Sequence, residues 1–251
     1  MSESKTDKHS SKIEDFVSNF YFLENERVKV MYNEPMSRIY IEKLHKVTDL
    51  EAPKLFKTFT KAFSTYPKLD GVFPDPREKA LAVEMVVEFY GRFDMKFGAA
   101  YSLDADISDG VVLVDSRNLA YSDENLAAAG CDSERFRALA AELGPAGVER
   151  WNAFFDELDR QEKLLDLPEE FIYVDFLAVD PQRQGEGRGK KLIEAVCRKA
   201  GEENLPVMLF TNGDDDVRFY KNRGFEVAGI TESAELGMKN VYMTYKKELS
   251  H

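Results

Sequence analysis

The stretch FIYVDFLAVDPQRQGEGRGKKLIEAV, residues 171–196, decides the fold of this chain. Its first part, residues 171–179, is rich in β-branched and aromatic residues and predicts a strand. A loop with glycines at alternate positions follows, Gly185, Gly187 and Gly189. An amphipathic helix then begins near Gly189, with Ile193, Val196 and Cys197 on the face toward the sheet. A strand that passes through a glycine-rich loop into a helix is typical of a phosphate site in an α/β protein.

The loop can be tested against the known phosphate-binding motifs. A P-loop needs GxxxxGK followed by Ser or Thr, and a dinucleotide fingerprint needs GxGxxG with an acidic residue farther along the chain. The spacing here is GxGxG, and apolar residues 207–210 stand where that acid is expected. Arg188, Lys190 and Lys191 add positive charge beside the loop. The segment therefore predicts a different phosphate cradle, and a glycine-rich turn without a ligand is the remaining alternative.

The rest of the chain surrounds this unit with further strands and helices. We predict an α/β (α+β) protein with a mixed central sheet flanked by helices, and a helical insertion at residues 116–168 before the loop strand. Residues 1–37 are predicted to form an N-terminal arm or helix, and residues 38–251 a single domain. The predicted strands cover residues 38–47, 96–102, 110–115, 171–179, 207–211, 225–230 and 240–247. The predicted helices cover residues 50–66, 76–93, 133–143, 148–164, 189–202 and 215–223.

Composition excludes several classes of function. The chain has 251 residues, 43% of them hydrophobic, and a formal net charge of −12. So acidic a surface argues against nucleic acid as a partner. It tends to attract cationic small molecules such as amines, but overall charge does not locate a site, and solubility is the simpler explanation of the charge. No segment has the length of apolar sequence that a membrane span needs, and no secretion signal is present, so a cytoplasmic protein is expected. Cys131 and Cys197 have no metal-ligand spacing, and no metal is predicted.

Two motifs together resemble the GNAT superfamily of acetyltransferases. Its acyl-CoA motif is Q/R-x-x-G-x-G/A, which Gln184, Gly187 and Gly189 match at the fixed positions. Farther along, residues 219–225, FYKNRGF, resemble its second signature, FYxxxGF. The resemblance implies a GNAT-like fold, acetyl-CoA as co-substrate and acetyl transfer to an amine. A dimer is common in the superfamily, so a homodimer is one candidate arrangement, and the sequence leaves the oligomeric state open.

A weaker resemblance extends upstream. AFSTYP at residues 62–67, FPDPRE at residues 73–78 and the strands that follow are similar in order and spacing to puromycin-type N-acetyltransferases. Those enzymes carry a glutamate in the strand equivalent to residues 207–211, where this chain has Phe210. If that glutamate serves the acceptor amine, the acceptor or the base differs here.

The resemblance also implies roles for individual residues. The loop strand is expected to splay from its neighbour at a bulge, so that its backbone pairs with the pantetheine arm and an N–H near Leu177 polarises the acetyl carbonyl. Tyr220 is the expected general acid for the leaving thiolate, and packing beside CoA is its alternative role. The residues expected to bind the cofactor are Phe176, Leu177, Ala178, Val179, Gln184, Gly185, Glu186, Gly187, Arg188, Gly189, Lys190, Asn212 and Tyr220.

The acceptor side is less defined in the sequence. Asp175 is the candidate base, and strand alternation predicts that it shares a face with Tyr173 and Leu177. A structurally paired aspartate is the equal alternative, and Glu169 and Glu170 are further candidates. The family layout implies that Tyr66, Phe73 and Arg77 wall the acceptor pocket. A small-molecule amine is the expected acceptor, and the alternatives are a protein or peptide acetyltransferase and a non-catalytic acyl-CoA-binding regulator.

Overall fold

A computed structural model of the chain describes residues 37–65, 69–234 and 236–246. Seven strands occur in this part: β1 (His45–Lys46), β2 (Ala99–Ser102), β3 (Asp109–Asp115), β4 (Ile172–Val179), β5 (Val207–Thr211), β6 (Glu226–Ser233) and β7 (Met238–Tyr245). Six α-helices accompany them: α1 (Ala52–Phe63), α2 (Pro76–Phe97), α3 (Asp123–Ala129), α4 (Glu134–Glu162), α5 (Arg188–Glu202) and α6 (Asp214–Lys221).

The strands form one sheet in the order β1-β2-β3-β4-β5-β7-β6. Neighbouring strands are antiparallel except β4 and β5, which are parallel. The connection from β4 to β5 is the glycine-rich loop followed by α5, as a parallel crossover requires. The predicted mixed sheet flanked by helices is therefore confirmed.

The two faces of the sheet carry separate hydrophobic clusters. On one face, Leu192, Ile193 and Val196 of α5 pack against Ile172 and Val174 of β4. On the other face, α1 and α2 pack against the later part of β4. The rings of Phe59 in α1 and Phe176 in β4 stack with centroids 5.3 Å apart. Strand β4 thus lies between two cores, which holds its backbone firmly beside the loop that follows it.

The predicted insertion is helical and packs on α2. Ser133 caps the first turn of α4 through its hydroxyl, which accepts from the Phe136 N–H. The helix is broken at Gly144, where φ is 77° and Pro145 follows, so the two predicted helices are joined across a kink. Trp151 is fully buried among the aromatic residues of α2 and α4. The insertion therefore covers one side of the sheet with a core of its own.

The N-terminal predictions are only partly supported. The strand predicted over residues 38–47 is wrong, since the structure has a 3-10 turn at Ser37–Ile39 and a strand only at His45–Lys46. Ile39 and Ile41 are buried in the cluster below α5, so their alternation reflects tertiary packing and not strand pairing. The predicted arm over residues 1–37 lies almost entirely outside the described residues. Within the described part, no helix is long and apolar enough to cross a membrane.

Candidate active site

The central feature of the site is a gap between β4 and β5. The two strands pair only at Ile172 with Val207 and at Tyr173 with Met208. β4 then continues to Val179 with β3 as its ladder partner. From Val174 onward the side of β4 toward β5 carries no ladder, so its backbone groups on that side face a cleft. The predicted cofactor residues Phe176, Leu177, Ala178 and Val179 all lie on this open stretch.

A bulge in β4 marks the point where the cleft opens. In the ladder with β3, Leu113 pairs with Val174 and Val112 pairs with Phe176, so Asp175 is the extra residue. After the bulge, the alternation of side chains between the two faces of the sheet is shifted by one residue. Val174 belongs to the cluster below α5, whereas Phe176 and Ala178 belong to the cluster below α1 and α2.

One prediction about β4 is corrected by the bulge. Simple alternation placed Tyr173, Asp175 and Leu177 on one face. Leu177 instead packs against the cluster below α5. The charge of Asp175 raises the pKa values of Tyr90 and Asp94, which are buried residues of α2 on the opposite face of the sheet. The bulge therefore separates the expected carbonyl-polarising residue from the expected base and puts them on the two sides of the sheet.

The glycine loop ends at the first turn of α5. Gly187 is the N-cap residue, with φ of 73° and ψ of 13°, and Gly185 also has a positive φ of 86°. A Cβ added at either glycine would meet no atom within 4 Å, so the space above the loop is open. The first N–H groups of a helix lack intrahelical partners and attract anions. The loop therefore has the shape and polarity of the predicted diphosphate cradle.

The side chains of the loop are arranged around this cradle. The Gln184 amide donates to the Val179 carbonyl at 3.3 Å, which folds the loop back onto the end of β4. Glu186 accepts from Arg183 at 2.9 Å, and Lys190 lies 3.8 Å from Glu194 on the exposed side of α5. These residues remain predicted cofactor residues, and Lys190 and Lys191 are both exposed cations of the first turn.

Arg188 differs from its expected role beside the diphosphate. Its side chain is buried and forms ion pairs with Asp104, at 2.9 Å, and with Asp109. Asp109 is fully buried and also accepts from the Ser102 hydroxyl and the Leu103 N–H, both at 2.9 Å. The guanidinium thus joins the start of α5 to β3. Because the guanidinium is engaged by these two acids, the group of Arg188 that is left for an anion is its backbone N–H in the first turn of α5.

Helix α6 stands against the other wall of the cleft. A Cβ added at Gly189 would lie 3.6 Å from Val179 and 3.8 Å from the ring of Phe219, so α6 meets the start of α5 and the end of β4 there. Tyr220 follows directly and is buried in the cluster against which Leu177 packs. The structure therefore places Tyr220 in the same cluster as Leu177 and next to a residue that borders the loop.

Two residues near the end of β5 contact β7. The Asn212 amide donates to the Lys239 carbonyl and, at 2.7 Å, to Oδ1 of Asn240, so its side chain is engaged by β7. Phe210 packs on Tyr242 with ring centroids 5.5 Å apart and also against the core of the helical insertion. The position where the puromycin-type enzymes carry a glutamate is thus part of an aromatic contact.

A carboxyl that sequence reasoning missed lies opposite Asp175. Asp94 of α2 is fully buried, and neither of its oxygens meets a hydrogen-bond donor among the described residues. Burial raises its pKa well above the usual range, and the charge of Asp175 and a hydrogen bond with that residue raise it further. Because a carboxylate has no donor, such a bond requires a proton on one of the two acids. Asp94 stands four residues after Tyr90 in the sequence, but nothing local distinguishes it from a surface acid.

Three phenols surround this pair of acids. Burial raises the pKa values of Tyr90, Tyr121 and Tyr173 well above the usual range, and the charge of Asp175 raises each further. The rings of Tyr90 and Tyr121 are 5.7 Å apart. We call Asp94, Asp175 and these three tyrosines the acidic pocket. Its phenols stay neutral, so they offer ring faces and hydroxyl groups but no compensating charge.

The other residues predicted on the acceptor side lie elsewhere. Glu170 is exposed before the start of β4 and pairs with Arg38 at 2.9 Å, so it is at the strand end opposite the loop, as is the exposed Glu169. Phe73 is a core residue with 1% exposure. Arg77 is exposed and pairs with Glu142 at 2.9 Å. These four residues do not line the cleft, and Tyr66 lies outside the described residues.

The part of the chain that the structure describes contains neither a metal-binding cluster nor an activated thiol. No group of His, Cys, Asp and Glu there has the arrangement to hold a metal ion. Cys131 and Cys197 are free and buried. Burial raises the pKa of each thiol to about 12, so neither is an activated nucleophile.

Comparisons with known proteins agree with this geometry. Residues 147–227 match the acetyltransferase (GNAT) domain family, a segment that contains the whole of β4, the loop, α5, β5 and α6. No curated protein sequence matches the chain.

Two solved structures share the fold at low sequence identity. A structure described as "histone acetyltransferase HPA2 and related acetyltransferase" from Corynebacterium glutamicum is 15% identical, covers 83% of this chain and 97% of its own, and has a TM-score of 0.50. Arylalkylamine N-acetyltransferase 2 from Aedes aegypti is 16% identical, covers 81% of this chain and 97% of its own, and has a TM-score of 0.52. Residues 147–227, which hold the open part of β4 and the glycine loop, thus resemble a GNAT acetyltransferase domain, and the chain shares the fold of these two acetyltransferases.

Proposed function

We propose that the chain is an acetyl-CoA-dependent N-acetyltransferase that transfers an acetyl group to a small-molecule amine by direct attack on the thioester. One observation carries the proposal. The open side of β4 runs without interruption into a loop of left-handed glycines at the start of α5. An extended pantetheine arm fits along such a strand edge, and a diphosphate fits the helix start. The bound acetyl-CoA would supply an acetyl group activated as a thioester.

The reaction needs two proton transfers, and we assign each of them to a residue on a different side of the cleft. In the balanced reaction, an ammonium loses a proton, its nitrogen forms a bond to the acetyl carbon, the carbon–sulfur bond breaks and the thiolate gains a proton. Asp175 is proposed to take the first proton, because it lies at the bulge where the cleft opens. Tyr220 is proposed to give the second, on the α6 side. The N–H groups of β4 near Leu177 are proposed to stabilise the developing charge on the carbonyl oxygen.

A small acceptor is favoured by what covers the site. The helical insertion ends beside β7, where the Tyr242 hydroxyl donates to Glu162 at 3.3 Å and the Asn240 amide donates to Gln161 at 3.3 Å. These bonds attach α4 to the sheet next to the acidic pocket. A buried cluster of acids and phenols beside α4 suits a compact cation. A peptide acceptor would need an open groove instead.

The proposal is tested by measuring CoA release from acetyl-CoA in the presence of a panel of amines, antibiotics and short peptides. We expect release with one or more small amines, together with a product heavier by one acetyl group. Turnover of peptides alone would replace the small-molecule proposal with the peptide alternative. Binding of acetyl-CoA without transfer to any acceptor would favour a non-catalytic regulator.

The glycine loop allows a first prediction with a matched control. Gly187→Val is expected to raise the Kd for acetyl-CoA by about tenfold or more, because a side chain there fills the open space through which N–H groups reach the diphosphate. Gly130, the C-cap of α3, has a similar φ of 67° and also meets no atom within 4 Å. Gly130→Val should therefore carry the same backbone strain with unchanged acetyl-CoA affinity. Isothermal titration of both variants checks this, and equal affinities would contradict the cradle.

A further inference from the structure

We propose that Asp94 and Asp175 together form the binding site for the ammonium group of the acceptor, with Asp94 as a neutral acid that holds the Asp175 carboxylate in position. The inference deepens the acetyltransferase function proposed above and rests on it. Asp175 is the residue that would contact the amine. Asp94 is a positioning residue that acts through Asp175.

The first support is the environment of Asp94. It is fully buried in α2, and no donor among the described residues reaches either of its oxygens. An isolated buried carboxylate is costly unless it is paired or neutralised. Among the described residues, Asp175 is the charged group that shifts the pKa of Asp94, and it shifts that pKa upward. A proton kept on Asp94 and shared with Asp175 removes this cost and leaves one negative charge for the pair.

The second support is the position of the pair. Asp175 is the bulged residue at which β4 parts from β5, so the carboxyls lie where the cleft begins. Bulges are frequent beside active sites because they redirect a side chain. Without the bulge, Asp175 and Phe176 would point to opposite faces. With it, both reach the face of α1 and α2, where Asp94 lies.

The third support is the chemistry of the walls. Tyr90 on α2, Tyr121 before α3 and Tyr173 on β4 surround the pair with ring faces and hydroxyl groups. An ammonium group is stabilised by a carboxylate and by aromatic faces, whereas an anion would be repelled. The pocket therefore selects a cationic amine over a neutral molecule of the same shape. It also serves the transfer step, since the ammonium proton can pass to the Asp175 carboxylate and then to solvent.

The proton on Asp94 should be visible in the pH dependence of stability. The groups that interact electrostatically with this acid are Asp175 and Tyr173 of β4, Tyr90 of α2, and Tyr121 and Cys131 on either side of α3. Glu162 of α4 acts on Tyr90 and Tyr173. Because the pKa of Asp94 is higher in the folded protein than in the unfolded chain, its contribution to stability is lost as pH rises above about 4. The Asp94→Asn variant should escape this loss, so its melting temperature should gain on the wild type as pH rises. A constant difference across pH would contradict a proton on Asp94.

The binding experiment needs no acetyl-CoA. The melting temperature of the full chain is followed with methylammonium or butylammonium chloride, and with potassium chloride or 1-butanol as matched probes. Both ammonium salts are expected to raise the melting temperature of the wild type above the potassium control. Asp175→Asn should abolish that rise. Asp156→Asn, which alters an exposed acid of α4, should keep it.

Two substitutions at Asp94 separate positioning from packing. Asp94→Asn keeps a neutral donor for Asp175 and should hold the KM for an amine acceptor within about threefold of the wild type. Asp94→Leu fills the space without a donor and should raise that KM by about tenfold or more, with the KM for acetyl-CoA unchanged. If the amine panel yields no acceptor, the variants are compared by their Kd for butylammonium in place of the KM.

Three results would overturn the inference. The first is an equal response of the wild type to ammonium and potassium salts. The second is a normal amine KM in Asp94→Leu, which would make Asp94 a tolerated core residue. The third is an equally large defect in Asp94→Asn and Asp94→Leu, which would show that the negative charge of Asp94 is needed and not a neutral donor. Each differs from a failure of the acetyltransferase proposal, which would appear as the absence of acetyl-CoA binding while ammonium binding persists.

Discussion

Replacement of Tyr220 by phenylalanine is expected to lower kcat for acetyl transfer by about 100-fold or more. The ring of Tyr220 is buried between Phe219 and Phe225, with centroid distances of 5.1 Å and 5.3 Å. Phenylalanine keeps these contacts and removes only the hydroxyl, so α6 should stay in place. The loss should appear in kcat and not in the Kd for acetyl-CoA, because the proton is needed only when the carbon–sulfur bond breaks. Steady-state kinetics and titration with acetyl-CoA measure the two quantities separately.

A second tyrosine provides the matched control. Tyr245 of β7 packs against the same hydrophobic cluster as Tyr220, and its ring lies 5.5 Å from that of Phe225. Tyr245→Phe should leave kcat within about twofold of the wild type, since it removes a phenol that no step requires. Equal rates for Tyr220→Phe and the wild type would remove Tyr220 as the acid. Equal losses in both variants would indicate damage to the shared core.

The glycine loop and the strand and helix beside it were largely predictable because their signals are local. Gly185 and Gly187 take left-handed backbone conformations where the strand turns into the helix, which glycine adopts readily. β5 spans residues 207–211, as predicted. Ile193, Val196 and Cys197 lie in the core below α5, as the helical periodicity indicates. Each of these features depends on neighbours within one or two turns of the chain.

The proposed acceptor side was not predictable because it depends on contacts between distant segments. Asp94 and Asp175 are brought together by the packing of α2 on β4, and no periodicity signals that pairing. The bulge at Asp175 is a property of the ladder with β3, so alternation within β4 alone placed Leu177 on the wrong face. The predicted wall residues failed for the same reason, since Phe73 and Arg77 were assigned by order along the chain.

Arg188 shows how one residue type at a motif position supports two interpretations. A cation at the first turn of the loop helix suits a diphosphate, and it equally suits an acid of the neighbouring strand. The structure has the second arrangement, with Asp104 and the fully buried Asp109 as partners. Positive charge for the diphosphate would then come from the exposed Lys190 and from the N–H groups of the helix start. The loop is thus held in place by an ion pair formed behind it.

This arrangement predicts a large loss of stability in Arg188→Met. Methionine keeps the apolar part of the side chain but leaves the Asp109 carboxylate buried without a cation. Breaking a buried ion pair on one side costs about 3–5 kcal/mol, so the free energy of unfolding should fall by about that amount in urea denaturation. Adding Asp109→Asn should recover much of the loss. The amide oxygen can still accept from the Ser102 hydroxyl and the Leu103 N–H, and the uncompensated charge is gone.

Arg183 supplies the control, because it is an arginine of the same loop with an exposed partner. It pairs with Glu186 at 2.9 Å, and 37% of its side chain is exposed. Exposed pairs contribute about 1 kcal/mol or less, so Arg183→Met should change the free energy of unfolding by no more than that. Acetyl-CoA affinity distinguishes the two roles of Arg188. If its charge served the diphosphate, the double variant would recover stability but keep a weakened affinity. With the ion pair as its main role, stability and acetyl-CoA affinity should recover together, because the loop regains its shape.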